Sequence, residues 1–201
     1  RGTTTVQATL IVELEQDGVV GYGEAVDVPF YKATVDSTEA ALEQVRDAIE
    51  GFRFSEPAAF WSAMAPLLAD SPAARCALDC AAHDLWGKME HAPVWELWGL
   101  NPNEACPTDY TIGIDAIDVM VRKLQEFSGW PIYKVKLGTE HDLEIVRALR
   151  EHTGAVLRVD ANCAWTVEQT LANAPELKRL GVELIEQPLH PNDWLGMEQV
   201  R

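Results

Sequence analysis

Ile132-Tyr133-Lys134-Val135-Lys136-Leu137-Gly138 (IYKVKLG, residues 132–138) reads as a short strand with a difficulty in it. Isoleucine, valine and leucine suit a buried sheet, yet two lysines sit two positions apart inside the run. Side chains alternate faces along a strand, so both ammonium groups point the same way. An edge strand with its lysines in water would account for this, since edge lysines guard against aggregation. A strand whose polar face lines an active site would account for it equally well.

The surrounding sequence bears on the choice. After Pro107 strand-like and helix-like segments alternate: DYTIGID then AIDVMVRKLQEFSG, IYKVKLG then EHDLEIVRALREHTG, AVLRVDAN then TVEQTLANAPELKRLG (Pro175 near its middle), VELIEQP then DWLGMEQVR. This rhythm predicts four consecutive parallel βα units. Upstream the pattern differs. TTTVQATLIVEL (residues 3–14), the Asp17-Gly18 turn and VVGYGEAV predict an antiparallel hairpin. Gly21-Tyr22-Gly23 opens like a dinucleotide-binding loop, but Val26 stands where its third glycine belongs, which excludes that reading. STEAALEQVRDAIEGF follows as a helix with Ser37 or Thr38 as cap and Gly51 as stop. SEPAAFWSAMAPLLAD and SPAARCALDCAAHDLWGKME carry apolar residues at helical spacing. In the second of these, Ala77, Ala81 and Leu85 share a face suited to close packing, while His83 and Asp84 read as packing or solvent residues. PVWELWGL ends at Gly99, and Pro102 and Pro107 break the chain. Residues 1–106 thus read as an α+β domain and residues 107–201 as the βα array.

Composition narrows the function. With 201 residues, 47% of them hydrophobic, the chain can bury a core. A formal charge of −16 argues against nucleic acid or an anionic membrane as partner. No apolar stretch has the length of a membrane span. Cys76 and Cys80 stand one helical turn apart, but no second ligand pair follows at zinc spacing. The four cysteines are expected to be buried free thiols of a cytoplasmic protein.

Charged residues recur where the strands end. Lys136, Asp160 and Glu186 close the second, third and fourth strands of the array, 24 and 26 residues apart, one βα repeat each. The C-terminal ends of parallel barrel strands open on one face, where such enzymes carry their active sites. Asp160 and Glu186 would reach one cation there with Lys136 beside them, and hard carboxylate oxygens favour Mg²⁺ over zinc. A lysine beside another ammonium in a partly dry pocket is expected to have its pKa lowered, so that it can act as a base. A bound Mg²⁺ could hold a substrate carboxylate and stabilise the enediolate left by α-proton removal.

YKVKLG, RVDANCAW and IEQPL, at these spacings, resemble the muconate-lactonising subgroup of the enolase superfamily; GYGEA and ALDCAAHDLWGK resemble its capping domain. The resemblance covers essentially the whole chain. Within the subgroup, DYTIGID and EQPLHPND are most similar to dipeptide epimerases of the L-Ala-D/L-Glu type. The fold it implies is an α+β capping domain, residues 1–106, followed by the first half of a TIM-type (β/α) barrel, residues 107–201. The activity it implies is Mg²⁺-dependent epimerisation of a small dipeptide by 1,1-proton transfer between two lysines, in cell-wall peptide recycling. In that scheme Lys136 is the acid/base and Lys134 tunes it and touches the substrate carboxylate. Asp160 and Glu186 are the first two Mg²⁺ ligands, with Asn162 supporting the metal shell. Thr111 contacts the dipeptide, Arg1 supplies a substrate-binding arginine, and Phe30 and Tyr31 lie in a capping loop that sets specificity. Cys163 and Ala164 depart from the commoner glycine-containing motif, which reads as packing variation.

An N-acylamino-acid racemase, an o-succinylbenzoate synthase, a muconate cycloisomerase and a non-catalytic half-barrel stay open, as does a homo-oligomer. The family's third acidic ligand, second catalytic lysine and ammonium-recognising acidic motif would all fall beyond Arg201. A full barrel takes roughly 250 residues and about 95 follow the first domain. The chain is therefore expected to be a fragment of a longer enzyme, inactive alone.

Overall fold

Asp17 and Gly18, at φ 53° and 80°, turn the chain through the two left-handed residues that a tight hairpin needs. They join β1 (Thr9–Gln16) to β2 (Val19–Val26), antiparallel with Gln16 opposite Val19 and Thr9 opposite Val26. The computed structural model describes residues 5–201, the side chain of Phe30 excepted. Between Ala105 and Cys106 the chain divides into two compact units.

In the first unit a single 3₁₀ turn (Pro29–Tyr31) leads to α1 (Val35–Gln44) and α2 (Arg46–Glu50). Helix α1 starts earlier than its sequence suggests. Thr34 is the cap, and Ser37 takes the third helical position, so that the Ser37 N–H donates to Thr34 Oγ1 and the Thr34 N–H to Ser37 Oγ. Helices α3 (Pro57–Met64), α4 (Pro72–Met89) and α5 (Val94–Leu97) complete the unit. Its core gathers Phe54, Phe60, Met64, Leu68, Leu78 and Leu85.

Helix α4 lies unusually close to β2, and the glycines make that possible. A Cβ on Gly21 would sit 2.2 Å from the Ala81 carbonyl oxygen, and one on Gly23 1.9 Å from that of Ala77. The glycine pair thus serves backbone-to-backbone packing against the Ala77–Ala81–Leu85 face. His83 Nδ1 lies 2.9 Å from the Asp79 carbonyl, and Asp84 accepts from the Tyr22 N–H and Lys88. The cysteines are free but not buried: Cys76, Cys80 and Cys106 are exposed and Cys163 half-buried. On α4 the buried positions belong to Ala74, Ala77, Leu78, Ala81, Ala82 and Leu85, which leaves Cys76 and Cys80 on the outer flank.

The second unit runs β3 (Tyr110–Ile112), α6 (Ile117–Glu126), β4 (Ile132–Lys136), α7 (Asp142–Arg150), β5 (Val156–Asp160), α8 (Val167–Arg179), β6 (Val182–Glu186) and α9 (Trp194–Val200). The strands form one parallel sheet in sequence order, β3-β4-β5-β6. One parallel strand per helix in sequence order is the first half of a TIM-type (β/α) barrel. Its core lies between sheet and helices: Met120, Leu124, Tyr133, Val135, Ile145, Leu149, Leu157, Val159 and Leu177. Helix α8 begins on a capping box between Thr166 and Gln169 and runs through Pro175 without ending.

The ladder between β5 and β6 slips at one point. Leu157 pairs with Val182, but Arg158 pairs with Leu184, so Glu183 is an extra residue in β6. The slip lets Val182 and Ile185, of opposite parity, both pack against the core. It also brings Glu186, rather than Ile185, opposite Asp160.

Candidate active site

Strand β4 is flanked by β3 and β5, so the edge-strand account of its lysines fails. Tyr133 and Val135 are buried towards the helices, and Lys134 and Lys136 emerge together on the opposite face. Register then aligns the neighbours. Lys136 stands opposite Asp160, and Asp160 opposite Glu186; one pleat earlier, Thr111, Lys134 and Arg158 form a second row. Five of the residues singled out from the sequence thus share one face: Thr111, Lys134, Lys136, Asp160 and Glu186.

Their charges interlock. Lys136 Nζ donates to Asp160 Oδ2 at 2.6 Å, while Lys134 Nζ lies 2.6 Å from Glu186 Oε2 and 3.3 Å from Asp160 Oδ2. Asp160 is 1% exposed, and its other oxygen accepts the Asn162 N–H at 2.9 Å. Burial disfavours the Asp160 carboxylate, but the bonds from Lys136, the Asn162 N–H and Lys134 outweigh it and hold the carboxyl below its usual range. The hydrogen bond to Glu186 holds the Lys134 ammonium above its usual range, against burial and with help from Asp160. At Lys134 the neighbouring carboxylates thus outweigh the neighbouring ammonium. Beneath the row, Arg158 pairs with Glu183 at 2.7 Å and Asp109 at 3.8 Å.

The strand ends are conformationally unusual. Asn162 (φ 46°), Cys163 (φ 64°) and Gln187 (φ 44°) all occupy the left-handed region that costs non-glycine residues energy. They brace one another: the Cys163 N–H donates to the Gln187 carbonyl at 2.7 Å, and Asn162 Nδ2 to Gln187 Oε1 at 3.4 Å. A glycine at position 163 would suit that backbone, so the departure at Cys163 bears on conformation. Arg1 lies outside the described residues, as does the side chain of Phe30; Tyr31 sits on the 3₁₀ turn, 70% exposed.

Among the described residues no three His, Cys, Asp or Glu side chains converge on a point. Two carboxylates do meet on this face, and their chemistry fits a hard divalent cation. A carboxylate offers about four acceptor positions, and Asp160 spends three of them, on Lys136, Lys134 and Asn162.

Sequence reasoning missed Asp142, Trp165 and Gln187. Asp142 had a readable signal: Thr139-Glu140-His141-Asp142 has the spacing of a capping box ahead of an apolar run. Gln187 had none, because its backbone angle is set by the loop.

Residues 1–99 match the mandelate racemase / muconate lactonizing enzyme N-terminal domain, and residues 118–201 the enolase C-terminal domain-like family. The chain is 51% identical over 194 residues to the L-Ala-D/L-amino acid epimerase of Maribacter sp., across 96% of this chain and 57% of that protein. It superposes on the substrate-liganded L-Ala-D/L-Glu epimerase of Bacillus subtilis with a TM-score of 0.86 at 26% identity, covering 96% of this chain and 57% of that one. For the dipeptide epimerase of Enterococcus faecalis, solved with Mg and the dipeptide L-Leu-L-Tyr, the TM-score is 0.82 at 34% identity, over 96% of this chain and 56% of that one. The chain thus spans little more than half the length of these relatives. Two domain families matched in order, over a capping-type α+β unit and a half-barrel, make the chain a member of the mandelate racemase / muconate lactonizing enzyme family of the enolase superfamily.

Proposed function

We propose that this chain carries the capping domain (residues 1–106) and the first half of the active site (residues 107–201) of a Mg²⁺-dependent isomerase that epimerises L-Ala-D/L-Glu-like dipeptides. The observation that carries the reading is the register of Lys136, Asp160 and Glu186 across three neighbouring strands, with Lys134 bonded to both carboxylates. Lys136 is the acid/base on one face of the substrate: its Nζ takes the α-proton from one epimer and delivers a proton to form that epimer in the reverse direction. The opposite face needs a second acid/base. Lys134 and Thr111 bind the substrate on the same face. Asp160 and Glu186 would hold the Mg²⁺, and Asn162 braces Asp160 from behind through its backbone N–H. When bound, Mg²⁺ supplies a Lewis acid for the charge of the enediolate. Dipeptides are favoured as substrates because relatives of this kind are named for them.

The test is exchange of the substrate α-proton with deuterated solvent, followed by proton NMR on L-Ala-L-Glu with and without Mg²⁺. Exchange in the protein carrying this chain, abolished by Lys136→Ala and kept by Lys123→Ala on α6, is the expected result. Exchange indifferent to Lys136→Ala, or absent with every dipeptide tried, would sink the epimerase reading. An acylated amino acid exchanging faster than any dipeptide would favour the racemase instead.

A further inference from the structure

Asp142 is a buried acid that the proposed chemistry does not use. It is 5% exposed, at the start of α7, in the loop that follows Lys136. Its oxygens accept the Gly138 N–H (3.0 and 3.1 Å), the Thr139 N–H (2.9 Å), the Thr139 hydroxyl (2.8 Å) and the Trp165 indole N–H (2.7 Å). Trp165 belongs to another loop, the one after Asp160, and is itself 6% exposed. Its backbone N–H donates in turn to the Pro188 carbonyl at 2.9 Å, in the loop after Glu186. Gly138 completes the contact: at φ 114°, a Cβ there would press on Ala164 Cβ at 2.9 Å. The three loops behind the row Lys136, Asp160 and Glu186 are therefore tied in the same order as the row itself.

We infer that Asp142 and Trp165 are positioning residues, a hydrogen-bonded belt that fixes the three strand ends relative to one another. What the row does rests on the epimerase reading; the belt itself rests on the bonds above. A buried carboxylate is a costly way to close one loop. Its advantage is that charge-assisted bonds are short and directional and can hold two loops at once. Misplacing reacting groups by about 1 Å can cost on the order of 10²-fold in rate. Side chains on neighbouring strand ends are open to such errors unless the loops between them are fixed.

The experiment uses the full-length protein carrying this chain. Trp165→Phe removes the indole donor and keeps a ring; Asp142→Asn keeps the shape and removes the charge. Both variants are expected to stay folded by circular dichroism, with KM within about twofold and kcat lowered about 10- to 100-fold. The double variant should be no slower than Asp142→Asn alone, because both substitutions break one bond. The Trp165 indole N–H resonance, assigned by its loss in Trp165→Phe, should move upfield in Asp142→Asn. The carboxyl carbon resonance of Asp160 should move in both variants, whatever the activity. An unchanged kcat per folded molecule, additive losses in the double variant, or an unmoved Asp160 signal would overturn the belt. Should Asp142→Asn fail to fold, Trp165→Phe carries the test alone. Absence of exchange in the wild type would instead refute the epimerase reading and leave the Asp160 signal to decide on the belt.

Discussion

The cost of one methyl group can be read from Gly23. Its missing Cβ would lie 1.9 Å from a backbone oxygen of α4, which no rotamer change can relieve. Gly23→Ala should therefore cost about 3 kcal/mol or more, seen as a lower midpoint in urea unfolding. Gly154→Ala, with nothing within 4 Å of the added carbon, should stay within about 0.5 kcal/mol of the wild type. Equal midpoints for the two variants would show that α4 and β2 are not in close contact. Residues of this kind mark how far the sequence can be read. The spacing of Lys134 and Lys136 announced a shared face because a strand's period is a local property. The role of Gly23 did not show, because it depends on a helix more than fifty residues later. The sign of the Lys134 shift was also hidden. It turns on which carboxylates lie nearest, and those come from two other strands.

At the scale of elements, the single helix expected over STEAALEQVRDAIEGF breaks at Val45 into α1 and α2. Otherwise the order of helices and strands was legible, since each segment carries its own periodicity. The slip in β6 was not. Strict alternation along VELIE leaves Val182 and Ile185 on opposite faces, whereas the fold packs both against the core. Helix α1 shows the same limit: capping by Thr34 depends on the backbone angle at its own position, while Ser37 and Thr38 are equally good caps by composition. Helices α7 and α8 carry a link that titrates. Glu176 on α8 accepts from Arg179 Nη2 at 2.7 Å and from Arg147 Nε, on α7, at 2.8 Å. The bonds from Arg179, then Arg147, pull the Glu176 carboxyl from 4.5 down to about 2. A depressed acid contributes stability above its unfolded pKa and loses it as pH falls through the folded one. The melting temperature of wild type should therefore exceed that of Glu176→Gln by a small margin at neutral pH. The margin should shrink between pH 4.5 and about 2 and vanish below. A margin unchanged across that range would show that the bonds are not made in solution.

The molecule as a whole carries a formal charge of −16, yet the sheet face at its candidate site is balanced, two lysines against two carboxylates. That contrast separates two effects of a divalent cation. Screening of a strongly acidic chain acts on the whole surface and depends only on ionic strength. Binding at Asp160 and Glu186, as proposed, would stabilise by mass action, about 2.7 kcal/mol at one hundred times Kd. Thermal melts of the protein carrying this chain should therefore be run in Mg²⁺ and in NaCl of equal ionic strength. Wild type should gain more from Mg²⁺ than from matched NaCl. Asp160→Asn, compared with its own metal-free melt, should gain the same from both, as should Glu186→Gln. Asp118→Asn, on the outer face of α6, should behave as wild type, because an exposed carboxylate paired with Arg122 among the described residues takes part in screening alone. Identical responses of wild type and Asp160→Asn would remove Mg²⁺ from this face and leave the four charges as a closed structural cluster. In that event the two lysines of β4 are neutralised by their own neighbours, and the half-barrel must be read as a scaffold.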